Sequence, residues 1–159
     1  MMSSGVRKIR VSLTDDHPVD EEVRGSIQSY IAGLTVPQKV GLTAKGNKEV
    51  RMILSRDPSS LVARAVVNSP RISESDVIAY TGSSLTSEEV LRGIADNREW
   101  AKSVRVKLLL VSNPRTPPAI AMRFLGHLPL SDLGILSRNR NIPTIVRREA
   151  KRQLIQKRR

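Results

Sequence analysis

Ser112-Asn113-Pro114-Arg115-Thr116-Pro117 closes one leucine-rich segment and opens another, and Ser137-Arg138-Asn139-Arg140-Asn141-Ile142-Pro143 repeats the move further on. An Asn-Pro step stops a helix. Proline disfavours the α conformation at the residue before it and has no N–H of its own to donate. The same punctuation stands at Arg56-Asp57-Pro58, at Asn68-Ser69-Pro70 and, without proline, at Asp96-Asn97-Arg98. The segments between breaks are short, apolar and rich in Leu and Val. Such helices cannot bury their faces alone, so the layout predicts stacking in sequence.

Working outward, Val36-Pro37 opens a helix that carries Val40, Leu42 and Ala44 to Gly46. Asn47 caps the next, with Val50, Ile53 and Leu54 on one face. Asp57-Pro58 reads as an N-cap and first-turn proline for Leu61, Val62, Ala65 and Val66. Ser73 caps a helix with Val77, Ile78 and Tyr80, ended by Gly82 where a left-handed residue is favoured. Thr86-Ser87-Glu88-Glu89 has capping-box form ahead of Val90, Leu91 and Ile94. Asn97 is expected to cap the longest helix, running to about Val111, with Trp100, Val104, Leu108 and Val111 inward. Thr116-Pro117 opens a helix facing Ile120, Ala121, Phe124 and Leu125 inward. Ser131 caps Leu133, Ile135 and Leu136, and Ile142-Pro143 opens a last helix with Val146, Ala150 and Leu154. That makes nine short helices at irregular intervals: Asn97 to Asn113 is 16 residues, Asn113 to Asn139 is 26.

Leu109-Leu110-Val111-Ser112-Asn113-Pro114-Arg115-Thr116-Pro117 and Leu136-Ser137-Arg138-Asn139-Arg140-Asn141-Ile142-Pro143 resemble bacterial variant leucine-rich repeats. These belong with the HEAT and armadillo class of α-solenoids. The resemblance covers roughly Val36 to Leu154. It implies an all-α fold, a short right-handed α-α superhelix. Repeats of that family can accompany an iron–sulfur domain with clustered cysteines. This chain has no cysteine, so that cofactor does not carry over and none is expected.

The first 34 residues differ from the rest. Val6 to Leu13 alternates apolar and polar residues as an edge strand or extended arm does, and Asp15-Asp16-His17-Pro18-Val19-Asp20-Glu21-Glu22 is acidic. Residues 1–34 therefore read as an arm, partly disordered, with a short helix near Val23 to Ile31. Residues 35–156 read as the repeat domain and 157–159 as a basic tail. The sequence leaves open whether the acidic stretch folds back over the basic end of the chain, which is a hypothesis to test.

Absent cysteine excludes disulfides, thiolate metal sites and cysteine nucleophiles. The sequence has no apolar run near the roughly 20 residues a bilayer crossing needs, and a cytoplasmic location is the default expectation. The only histidines, His17 and His127, lack ligand spacing. His17 with Asp15, Asp16 and Asp20 has a competing reading as a metal site or a solvated acidic loop, and the loop is the stronger. His127 reads as a helix C-terminal residue that suits the local dipole. Asp96-Asn97-Arg98-Glu99-Trp100 superficially suits a HEAT-like enzyme on nucleic acid, but cap, exposed turn and packed indole explain it more simply.

Charge is the informative feature. Lys and Arg number 27 against 15 acids, for a net +12, which favours nucleic acid, an anionic surface or an acidic protein partner. Arg98, Lys102 and Arg105 are spaced four and three apart on the expected long helix. From Arg138 onward nine basic residues, among them Arg140, Arg147, Arg148, Lys151 and Arg152, stand against Glu149 alone. These nine positions (98, 102, 105, 138, 140, 147, 148, 151 and 152) are the anion-binding candidates. A solvated terminal cap with a frayed tail explains those from Arg138 onward equally well. The leading expectation is a non-enzymatic interaction module that docks a protein partner. The alternative is duplex nucleic acid held by its backbone, since aromatic content of 3% offers little for base stacking.

Overall fold

The computed structural model describes residues 12–159; of the alternating stretch Val6–Leu13, everything before residue 12 lies outside it. The described residues form eleven helices and no strand. They are α1 (Glu21–Ala32), α2 (Val36–Lys45), α3 (Lys48–Leu54), α4 (Ser60–Val67), α5 (Glu74–Gly82), α6 (Glu88–Asp96), α7 (Arg98–Ala101), α8 (Val104–Ser112), α9 (Pro118–Leu125), α10 (Leu130–Arg138) and α11 (Thr144–Lys157).

Helices this short are marginal in water on their own, so tertiary packing must hold them. Alternate helices supply it. α2 packs on α4 and α4 on α6, while α3 packs on α5 and α5 on α8. α9 then lies on α8, and α11 on both α9 and α10. The core is almost wholly aliphatic: Val50, Leu54, Val62, Val66, Val90, Leu91, Ile94, Val106, Leu110, Leu125, Leu133, Leu136 and Val146 are fully buried. Each such side chain contributes about 1.5–3 kcal/mol of transfer free energy.

One hydrogen bond recurs at the breaks. The side chains of Asp57, Ser69, Ser83, Asn97, Asn113 and Asn139 each accept from the backbone N–H two residues on, at 2.9, 3.3, 3.2, 3.0, 2.9 and 2.9 Å. Asx and Ser/Thr turns of this kind stop a helix and redirect the chain. Two of these residues also tie neighbouring helices end to end. Asn113 Nδ2 donates to the carbonyls of Thr81 and Ser83 at 2.7 and 2.9 Å, and the Ser69 hydroxyl donates to the Thr43 carbonyl at 2.8 Å. The break between α9 and α10 lacks the turn bond. There Lys157 Nζ reaches back to the carbonyls of Gly126 and Leu128.

Several expectations need correction. The long helix from Asn97 is two, α7 and α8, because the Ser103 hydroxyl accepts from Val106 N–H and caps a new start. Ten helices therefore follow residue 35 where nine were expected. Val104 turns outward, as do Leu61 and Ile135. Ser59 rather than Asp57 caps α4; Asp57 instead accepts from Lys39 Nζ at 2.6 Å. α10 starts after Pro129, with Ser131 already inside it. Gly82 is the last residue of α5 and has no left-handed conformation. Thr86 Oγ1 and Asn113 Nδ2 already donate to the carbonyls of Tyr80 and Thr81, so the left-handed cap has nothing left to satisfy.

Residues 12–34 rest on α3. Asn47 Nδ2 donates to the Ser12 and Asp15 carbonyls, and α1 buries Ile27 and Ile31 beside α3. The acidic stretch caps helices. Asp20 accepts from Val23 N–H, and Asp16 from Lys48 N–H, which holds its carboxyl below the ordinary range. These bonds run to α1 and α3, whereas α11 packs on α9 and α10, so these carboxylates do not fold back onto the basic end. At the α2–α3 corner, a Cβ on Gly46 would lie 2.9 Å from the Leu42 carbonyl and clash with Val50. Only glycine fits there.

Candidate docking surface on the last two helices

α11 is the longest helix, and its buried side is Val146, Ala150 and Leu154. The opposite side carries Ile145, Arg148, Arg152 and Ile155, spaced three, four and three, so they share one outward face. Ile145 and Ile155 are 58% and 48% exposed. Lys151 flanks this face and is exposed, as are Arg148 and Arg152.

Arg152 is committed. Its Nε donates to Glu149 Oε2 at 2.8 Å, and Gln153 Nε2 donates to Glu149 Oε1 at 3.0 Å. These bonds hold the Glu149 carboxyl down at about 2 and push the Arg152 guanidinium up. Arg138, Arg140, Arg147, Arg148 and Lys151 form no ion pair among the described residues. Three of them converge: Arg138 ends α10, Arg140 lies in the connecting turn, Arg147 is in the first turns of α11, and together with Ser137 they line one open cleft. The Ser137 hydroxyl donates to the Gly134 carbonyl at 2.7 Å.

The earlier basic trio is not brought together on one helix. Arg98 belongs to α7, Lys102 to the break and Arg105 to α8, and Lys102 pairs with Glu99 at 3.1 Å. All three side chains are exposed.

A second cavity, of about 320 Å³, lies at the other end, lined by Asp16, His17, Arg24, Lys48, Glu49, Asp76 and Tyr80 among others. Its carboxylates, Asp16, Glu49 and Asp76, are already held. Arg24 Nε meets Glu49 at 2.7 Å, and Asp76 accepts from buried Arg51 and from Ser73 N–H. His17 has its two ring nitrogens 3.1 Å from the carbonyl oxygens of Pro18 and Ser12. Two acceptors favour the doubly protonated ring, which raises its pKa. Burial, with the Asp76 carboxylate nearby, pushes the Tyr80 phenol up. No group of three or more His, Asp or Glu side chains able to hold a metal occurs among the described residues. His127 stands exposed just past α9. No helix of the described residues is long and apolar enough to cross a membrane.

Sequence reasoning found the basic residues of α11 but missed the two exposed isoleucines that bracket Arg148 and Arg152, and the buried Arg51–Asp76 pair. The spacing of Ile145 and Ile155 opposite Ala150 was a usable signal; nothing in the sequence marked Arg51 as buried. Comparison of the chain with protein-family models, with curated proteins and with solved structures finds no match.

Proposed function

We propose that this chain is a non-enzymatic docking module, a short right-handed α-solenoid of the HEAT, armadillo or variant leucine-rich-repeat kind, that binds an acidic protein partner. One observation carries the reading: on the outer face of α11 two exposed isoleucines, Ile145 and Ile155, bracket Arg148 and Arg152. A phosphate backbone gives isoleucine nothing to bury against. A protein surface of aliphatic and acidic residues complements both, with carboxylates opposite the central arginines and aliphatic groups against the isoleucine at either end. The carboxylates of the other cavity support the non-catalytic part, since Asp16, Glu49 and Asp76 are each held by a cap or an ion pair.

The test is capture from extract of the native cell, using the full chain, Ile145→Ser with Ile155→Ser, and Arg148→Glu with Lys151→Glu. Exposed substitutions of this type change stability by within about 0.5 kcal/mol, so the variants fold. A partner retained by the parent chain and lost by both variants supports the reading. A partner retained by both variants sinks it.

A second reading, duplex nucleic acid held by its backbone, has in its favour the five cations without an ion pair. It requires a duplex mobility shift that falls steeply with salt and is indifferent to the isoleucine substitutions.

A further inference from the structure

We propose that the cleft between α10 and α11 is a binding site for a phosphomonoester dianion, presented as a phosphorylated side chain of the docked protein. The site deepens the docking reading and rests on it for the identity of the carrier. Three guanidinium groups, Arg138, Arg140 and Arg147, open onto one cleft with Ser137 and with no carboxylate in its lining. Arg138 is explained by its own helix, because a cation at the end of α10 complements the helix dipole. Arg147 is not. It stands near the start of α11, where the dipole disfavours a cation, in a helix with no acid in its first turn and no side-chain cap. Arg148 and Lys151 add like charge on neighbouring turns.

An arrangement that costs stability when empty is relieved when an anion arrives. The arginines supply planar forks that match phosphate oxygens two at a time. The valence selects the ligand. Three cations around one cleft over-neutralise a single phosphodiester, which carries one charge and is followed by others spaced along a strand. They suit a phosphomonoester, which carries nearly two charges and three acceptor oxygens. The exposed isoleucines on the same helix favour a protein as the carrier over a nucleic acid.

The experiment titrates the full chain, observed by amide NMR, with N-acetyl-phosphoserine methylamide, with inorganic phosphate, with N-acetyl-aspartate methylamide and with a short DNA duplex, at about 0.15 M salt. The expected result is saturable shifts confined to the α10–α11 turn for phosphoserine and phosphate, with aspartate weaker by about tenfold. Arg140→Gln and Arg147→Gln each weaken phosphoserine binding about tenfold, as loss of one charged hydrogen-bonding partner implies. Arg147→Lys recovers part of it, and Arg98→Gln changes nothing. The spectra themselves report that each variant is folded. Equal binding of aspartate and phosphoserine, equal losses from Arg98→Gln and Arg147→Gln, or duplex binding without phosphoserine binding would each overturn the proposal. None of these outcomes touches the isoleucine-dependent capture, so the two readings fail separately.

Discussion

Removing the charge from Asp76 tests how the first half of the array is held. Arg51 and Asp76 are 5% and 1% exposed at their side chains. Arg51 Nη2 and Nε donate to Asp76 Oδ2 at 2.9 and 3.2 Å, and Nη1 donates to the Gly46 carbonyl at 2.9 Å. The pair thus joins the middle of α3, the start of α5 and the α2–α3 corner. Asp76→Asn keeps an oxygen for the Ser73 N–H, so the cap survives while the buried guanidinium loses its countercharge. Breaking a buried pair from one side costs about 3–5 kcal/mol. Against a total stability of about 5–15 kcal/mol, that lowers the melting midpoint by about 6–20 °C in a chain of this size. Arg51→Met is also expected to destabilise. The double variant is expected to lose about 1–3 kcal/mol less than the sum of the singles. Urea unfolding followed by circular dichroism, with unchanged slope, measures all three. A loss below about 1 kcal/mol in Asp76→Asn, with additive singles, would refute the reasoning.

Asn113→Ala strands the Thr81 carbonyl and leaves the Ser83 carbonyl only its Thr86 N–H, and a loss of about 1–3 kcal/mol is expected in the same urea assay. Gly46→Ala forces a Cβ against Val50 and the Leu42 carbonyl, with a cost of about 1–3 kcal/mol read as a lower midpoint. His17 is expected to titrate above its ordinary 6.5 when followed by NMR. Its contribution to stability is fully present below 6.5 and disappears as pH rises through the raised folded value, and His17→Ala removes that dependence.

The helices were legible because their stops are chemical. Asn113 sits beside Pro114 and Asn139 stands four residues ahead of Pro143, so both announce a turn before any fold is known. Ser69 and Ser83 make the same bond with a hydroxyl, and Ser83, with no proline beside it, passes for an ordinary polar residue. Counting both brings the early breaks to intervals of 12, 14, 14 and 16 residues. The stop at Ser103 was invisible because Trp100, Val104 and Leu108 keep helical spacing across it; the structure uses Val106 and Leu110 instead. For the site, composition showed that the end of the chain is basic. That Arg138, Arg140 and Arg147 face one cleft depends on how α11 folds back on α10, which no local pattern encodes. The buried pair was hidden for the same reason, since its partners are 25 residues apart.

The break between α7 and α8 also fixes what light can report from this molecule. Trp100, the single tryptophan, lies half-buried there in a shallow groove with Glu74, Glu99, Lys102, Ser103 and Val106. Its emission therefore senses a seam two-thirds of the way along the chain, while far-ultraviolet dichroism averages over every helix. Where the two signals part company during denaturation, the segments on either side of that seam are coming undone at different times.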